Sequence, residues 1–245
     1  MTISVSKQLL PVYDKPMIYY SMSLLFLAGI RDILIISDDY SIPMYRRLFG
    51  NGSQFGVRFS YVVQPEPKGL AQAFVLGDEF IAKRRTCLVL GDNIIYGAGL
   101  SRLLRNASSR EEPQVFAYRV KNPRAYGVVE FDRSGKVISI EEKPEEPKSD
   151  YAIPGIYFFP GDVVEIAAQM KPSKRGEYEI TDVMNAYLSA GRLRVSKMQR
   201  GIAWLDSGTP QSLNDASNFV RTIEERTGLR IADLAEISVS NKWVS

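Results

Sequence analysis

Histidine is absent from this sequence. That removes the usual general base, the commonest zinc ligand and the base of both Ser-His-Asp and Cys-His nucleophilic systems. Any chemistry has to run on carboxylates, amines, guanidinium groups or a bound metal. Cysteine is almost absent: Cys87 stands alone, so no internal disulfide forms and a reducing, cytoplasmic setting is expected. An excess of one charge is missing too. Lys and Arg number 31 against 28 Asp and Glu, a net +3 with the signs interleaved. No basic block or basic-aromatic stripe occurs, which argues against nucleic acid as the main partner. Long apolar runs are also lacking. The stretch 17–29 is broken by Tyr19, Tyr20, Ser21 and Ser23 and is too short and too polar to span a bilayer. No basic segment, apolar core and small-residue cleavage site follow one another as in a signal peptide.

What is present is organised around Leu88-Val89-Leu90-Gly91-Asp92-Asn93. Residues 87–90 read as a short, fully buried strand, Gly91 breaks it, and Asp92 follows at its carboxyl end. Ligands of open α/β sheets sit outside the carboxyl ends of strands. A carboxylate there suits a hard cation such as Mg²⁺, and equally suits a helix cap or a turn. Before this stretch, a helix over 17–28 with Pro16 in its first turn, a strand over 33–36, a helix over 43–49, a strand over 57–63 and a helix over 70–80 are expected. Such alternation predicts a right-handed, mostly parallel sheet. After a helix over 100–110 the chain turns strand-rich: 115–120, 128–131, 137–141, 152–159 with Pro154 interrupting it, 193–198 and 202–205. Helices are expected over 162–170, capped by Asp162, and over 177–190 and 210–226. With 45% apolar and 24% charged residues in a length of 245, one mixed α/β domain is the economical reading.

Several residues are candidates for chemistry. Asp206 repeats the logic of Asp92, following Ala203-Trp204-Leu205 and preceding Ser207-Gly208-Thr209. The two carboxylates either converge on one Mg²⁺ or are solvated turn residues. Gly69 opens a helix, so it either admits an anionic ligand close to the backbone or closes a Pro-rich loop. Gln64 in the same loop adds an amide able to pair with a nucleobase edge. Glu142 and Lys143, within Glu141-Glu142-Lys143-Pro144, read as a sugar-hydroxyl acceptor beside a phosphate contact, or as a solvated charge cluster. Arg175, within Lys174-Arg175-Gly176-Glu177, poses the same choice. Lys7 and Lys15 are phosphate contacts or surface lysines.

Read together and in order, these segments carry a resemblance. Ser6-Lys7-Gln8-Leu9-Leu10-Pro11-Val12, Gln64-Pro65-Glu66-Pro67-Lys68-Gly69-Leu70-Ala71-Gln72-Ala73, Leu90-Gly91-Asp92-Asn93, Tyr126-Gly127-Val128-Val129-Glu130-Phe131, Glu141-Glu142-Lys143-Pro144, Arg175-Gly176-Glu177 through Ile180-Thr181-Asp182, and Trp204-Leu205-Asp206-Ser207-Gly208-Thr209 are similar to the sugar-1-phosphate nucleotidyltransferases. The likeness is to their glucose-1-phosphate thymidylyltransferase branch and runs from about residue 1 to 243. It implies a three-layer, Rossmann-like nucleotide-diphospho-sugar transferase fold with a mixed, mostly parallel central sheet. It implies that dTTP and glucose 1-phosphate give dTDP-glucose and pyrophosphate, with Mg²⁺, in dTDP-sugar synthesis such as that of dTDP-rhamnose. By position, Asp92 and Asp206 match metal ligands, and Lys7 matches a lysine on the nucleotide phosphates. Gln8, Gln64 and Gly69 match nucleotide contacts. Tyr126, Gly127 and Glu142 match glucose contacts, and Lys143 and Arg175 match groups on the sugar phosphate. A homotetramer is the family's usual assembly. The chemistry tolerates a histidine-free site, because a sugar phosphate, with a second pKa of about 6, is already an anionic nucleophile near neutral pH.

Three departures stand beside the likeness. The family opens with a strand and a Gly-rich loop of the form G-G-x-G-[T/S]-R-L, and the first five residues here align just after it. The sequence also stops earlier than family members, so a single nucleotidyltransferase domain over 1–245, shortened at both ends, is expected. Ala98 lies where many members carry a histidine. These departures set an alternative beside the enzyme reading: a catalytically weak or inactive member that binds sugar phosphate or an intact paralogue.

Overall fold

A computed structural model describes residues 5–245; the strandless start expected for residues 1–4 lies outside that range. The chain forms two compact units, both discontinuous. Residues 1–63, 89–109 and 200–245 make the first, and residues 64–88 and 110–199 the second.

The first unit is built on the helix Ile18–Leu27, buried on nearly every side from Ile18 to Phe26. Such a helix can carry serines only if their hydroxyls are satisfied. Ser21 donates to the Asn93 carbonyl at 3.0 Å and Ser23 to the Tyr20 carbonyl at 2.7 Å. Pro16 lies just outside this helix, in a two-residue ladder between Pro11–Val12 and Lys15–Pro16. Strands Asp32–Ser37 and Arg58–Val63 pair in parallel, as the alternation of elements predicts. The helix Ile42–Phe49 covers them, and its Phe49 ring packs 5.3 Å from Tyr19 and 5.1 Å from Phe59. A second ladder pairs Asn93–Gly97 antiparallel with Ile202–Asp206. The helix Pro210–Thr227 follows, started by a reciprocal Thr209–Ser212 capping box and ended by Gly228 at φ +71°. A last helix, Leu234–Ser240, is capped by the Asp233 carboxylate. Neither Asn93–Gly97 nor Leu234–Ser240 is expected from the sequence.

The second unit holds a seven-stranded sheet. Its order is Thr86–Val89, Ile156–Phe159, Gln114–Arg119, Tyr151–Ala152, Gly127–Phe131 and Val137–Glu142, with Arg194–Lys197 also on Gln114–Arg119. Aromatic side chains fill its core: Phe74 meets Phe159 edge-on at 5.6 Å, and Phe159 stacks on Tyr187 at 5.4 Å. Truncating such a ring to Ala costs about 3–5 kcal/mol.

The α/β class and the mixed sheet stand. The weighting of strand directions differs in this unit: Arg194–Lys197 runs parallel to its neighbour, whereas the ladders from Ile156–Phe159 to Val137–Glu142 are antiparallel. One of these ladders is a hairpin. Asp132 closes it between Gly127–Phe131 and Val137–Glu142, its Oδ1 accepting from the Ser134 and Lys136 backbone N–H groups. Other expectations shift for local reasons. Thr86–Val89 is half-buried rather than fully buried, because it ends its sheet with one neighbour among the described residues. Gly77 splits the helix expected over 70–80 into Gln72–Leu76 and Asp78–Ile81. Pro154 splits the strand expected over 152–159, and its carbonyl takes the Ile156 N–H at 2.7 Å. Asp162 precedes the helix Val163–Gln169 but does not cap it; its carboxylate accepts instead from Tyr187 at 2.6 Å and Arg192 at 2.7 Å. The next helix begins at Ile180, not 177, because Glu179 is extended and its carboxylate is engaged elsewhere.

Candidate active site

In the first unit, a single helical turn, Lys7–Leu9, presents Lys7 and Gln8. The Lys7 ammonium sits 2.7 Å from Asp92 Oδ2. Gln8 accepts from the Ser6 hydroxyl at 2.7 Å and lies against Gly91, where an added Cβ would stand 2.7 Å from its Cγ. Asp92 therefore needs glycine before it. Asn93 holds the carboxylate from the other side, donating to Asp92 Oδ1 at 3.1 Å while its own oxygen accepts from Trp204 Nε1 at 2.7 Å. The register sets Asp206 opposite Asn93, and the Ser207 N–H reaches the Asp92 carbonyl at 3.4 Å. Asp92 and Asp206 are thus neighbours across a paired ladder. Lys15 is drawn away from solvent by Asp14 at 2.6 Å and Glu224 at 3.1 Å, a packing role that accounts for it without a ligand.

In the second unit, the Lys143 N–H donates to the Tyr126 carbonyl at 3.0 Å, and Gly127 pairs with Glu142 across the ladder. A Cβ on Gly127 would press on Thr181 Cγ2 at 3.1 Å and meet Glu142 Oε2 at an ordinary 3.5 Å, so the side chain that glycine makes room for is Thr181. Lys143 adopts φ +42°, a left-handed conformation that is costly outside glycine and clusters at functional sites. Its ammonium is 3.9 Å from Glu142. The Arg175 guanidinium is ringed by carboxylates: Glu177 at 3.1 Å, Glu179 at 3.4 Å and Glu142 at 3.7 Å. Glu179 is 7% exposed and accepts from the Ser173 hydroxyl at 2.9 Å. Burial, then the charge of Glu179, pushes the Glu142 carboxyl above its ordinary range against the pull of Lys143 and Arg175.

Gln64 and Gly69 share a loop of this unit. The Gln64 amide donates to Gln72 Oε1 at 2.7 Å. Gly69, at φ +111°, has Tyr178 backbone atoms 2.5 Å from where a Cβ would be, so its lack of a side chain first serves the packing of the loop. The structure therefore gathers Lys7, Gln8, Asp92 and Asp206 in one unit. It gathers Tyr126, Gly127, Glu142, Lys143 and Arg175 in the other, with Gln64 and Gly69 on a nearby stretch of the same unit's chain.

The sequence profile of the nucleotidyl transferases matches residues 1–223. The chain belongs to this family. Among curated nucleotidyl transferases, it is 53% identical over all of its length to a glucose-1-phosphate thymidylyltransferase of Xanthomonas campestris pv. campestris, spanning 83% of that relative. A protein of the same name from Mycolicibacterium smegmatis is 56% identical over 97% of this chain and 83% of its own. Among solved structures, a Bacillus anthracis protein assigned as a glucose-1-phosphate thymidylyltransferase, in complex with a sucrose, superposes with a TM-score of 0.81. It is 38% identical and covers 90% of this chain and 88% of its own. A UDP-glucose pyrophosphorylase complexed with UDP-glucose shares the fold at a TM-score of 0.77 and 24% identity, covering 89% and 90%.

Nucleotidyl transferases as a family typically use a divalent metal, and the residues present fit one. Asp206 pairs with Asn93, the residue after Asp92, so the chain brings the two aspartates near one another, and both carry hard oxygen donors. Among the described residues no group of three or more potential ligands forms, which suits an ion that takes one or two carboxylates and completes its shell with substrate phosphates and water. The buried Ser207 hydroxyl, beside Asp206, has no hydrogen-bond partner among the described residues. Sequence reasoning assigned no role to Glu179, Thr181 or Gln72, although all three lie within or beside quoted motifs. No helix among the described residues is long and apolar enough to cross a membrane.

Proposed function

We propose that this chain transfers a thymidylyl group: a phosphate oxygen of glucose 1-phosphate attacks the α-phosphorus of dTTP, pyrophosphate leaves, and dTDP-glucose forms. The observation that carries this reading is the match, along the whole chain, to proteins named for that activity. In this reading Asp92 and Asp206 hold Mg²⁺, which when bound offsets the charge of the nucleotide phosphates. Lys7 turns from Asp92 toward the nucleotide phosphates, and Gln8 and Gln64 contact the nucleoside. Glu142 accepts sugar hydroxyls beside Tyr126 and Gly127, while Lys143 and Arg175 bind the sugar phosphate and hold its oxygen in line for attack. No general base is needed, because the nucleophile is already an anion. The same reading carries a cytoplasmic, homo-oligomeric enzyme. Incubation with dTTP, glucose 1-phosphate and Mg²⁺ is expected to release pyrophosphate and dTDP-glucose in equal amounts. Absence of both products, with glucose 1-phosphate still bound, would favour the sugar-phosphate-binding alternative.

A further inference from the structure

We propose that Gln72 is a positioning residue that fixes which way the Gln64 amide faces, and that it thereby selects an imide pyrimidine over cytosine. The proposal rests on the reading of Gln64 as a nucleobase contact and says how that contact acquires its polarity.

The argument is one of donors and acceptors. The Lys68 backbone N–H lies 3.0 Å from the Gln72 side chain. A backbone N–H only donates, so the atom of Gln72 that meets it is the oxygen. That same oxygen lies 2.7 Å from the Gln64 amide. It accepts, so Gln64 must present its NH₂ there. A flipped Gln64 would set two carbonyl oxygens 2.7 Å apart, lone pair against lone pair. The chain of polarity therefore runs from a backbone N–H through Gln72 to Gln64, with no free choice at either amide.

The backbone reference is itself held. The Tyr178 N–H donates to the Lys68 carbonyl at 2.7 Å, and the Ala71 N–H donates to the Tyr178 carbonyl at 3.1 Å. Gly69 lets Tyr178 approach this closely. Lys68 thus presents its N–H from a loop clamped on both sides of Gly69.

With one N–H committed to Gln72, Gln64 has its Oε1 and its second N–H left to offer, in a fixed order. Thymine and uracil present an N3–H donor beside a carbonyl acceptor, the complement of that pair. Cytosine presents the reverse, an N3 acceptor beside an N4 amine. A glutamine free to flip would read both; one locked in place reads the first and leaves unpaired groups against the second.

The test compares dTTP with dCTP binding, measured calorimetrically with Mg²⁺ on the full chain and on three variants. Gln72→Met removes the acceptor, and the preference for dTTP is expected to fall about tenfold, chiefly by improved dCTP binding. Gln72→Glu keeps an acceptor for both donors and is expected to retain the preference. A loss of packing alone would weaken both nucleotides alike and leave their ratio unchanged. If Gln72→Met keeps the preference while Gln64→Met loses it, the positioning role is overturned and the base contact stands. If neither change moves the ratio, the reading of Gln64 as a base contact falls and the proposal falls with it. Loss of preference in Gln72→Glu would also overturn it, since the hydrogen-bond pattern is preserved there.

Discussion

The two clusters solve the same problem, gathering charge for a phosphate, with opposite supports. In the first unit Asp206 ends a paired ladder and Asp92 directly precedes it, and the cation, Lys7, reaches Asp92 from a single helical turn. In the second unit the cation, Arg175, sits on an irregular loop, and three carboxylates close around it. A ladder restrains the backbone that carries an acid more than a loop does. A loop lets a planar guanidinium leave one carboxylate for a phosphate of the same fork geometry. The difference teaches that rigidity is placed under the acids in one unit and withheld from the base in the other.

The sharpest way to break this comparison is at Asp206. Asp206→Asn is expected to lower turnover by about 10³-fold or more, with the residual activity no longer rising with Mg²⁺; steady-state rates across a metal titration check it. Arg175→Ala is expected to act on one substrate only. The KM for glucose 1-phosphate should rise about 10- to 100-fold with the KM for dTTP unmoved, because a charged, two-pronged contact is lost on the sugar side alone. Equal changes in both constants would erase the distinction between the clusters.

A smaller effect sharpens the picture of the second unit's loop. Gly69→Ala forces a side chain at φ +111° onto the Tyr178 backbone, and a destabilisation of about 1–3 kcal/mol in urea unfolding is expected. Gly176→Ala, where no atom lies within 4 Å of the new Cβ, should cost less. The smallest effect concerns pH. The folded state raises the Glu142 pKa, so it binds that proton more tightly than the unfolded chain does. Glu142's contribution to stability is present at low pH, is lost as pH rises through the raised value, and is a full penalty at neutral pH. Glu142→Gln should therefore raise Tm slightly at neutral pH. The gain should vanish below about pH 4.5, where the carboxyl is protonated in the unfolded chain as well.

Much of this was legible before any coordinates. Apolar runs located strands over 33–36 and 202–205, within Asp32–Ser37 and Ile202–Asp206, and Pro210 marked the start of a long helix. The residue types at Asp92, Asp206, Glu142, Lys143 and Arg175 were visible as candidates. Their grouping was not. Asn93–Gly97 follows the previous strand after a gap too short to show a separate element, and its partner lies more than a hundred positions away. Register between such distant strands is set by packing rather than by local pattern. Glu179 reads like any other acid in a charged stretch until Ser173 and Arg175 are seen to close on it. The Gln64–Gln72 pair depends on a backbone N–H, and side-chain chemistry alone gives no hint of it.

The interleaving of the two units has a consequence for how the chain is made. The polypeptide crosses from one unit to the other four times, at 63/64, 88/89, 109/110 and 199/200. During synthesis, every residue of the second unit has been added to the chain before residues 200–245 exist. Those late residues include Ile202–Asp206, the partner of Asn93–Gly97, and the helix Pro210–Thr227, whose Ala216 and Val220 join Val12, Met17 and Ile94. The second unit can thus close on a half-finished chain, while the first must keep its strand Asn93–Gly97 without this partner and the buried helix Ile18–Leu27 only partly covered for the time needed to add about a hundred residues. At roughly 5–20 residues per second that is about 5–20 s of exposed apolar surface and open strand edge. The carboxylate pair at the end of that ladder is accordingly among the last features of the molecule to form.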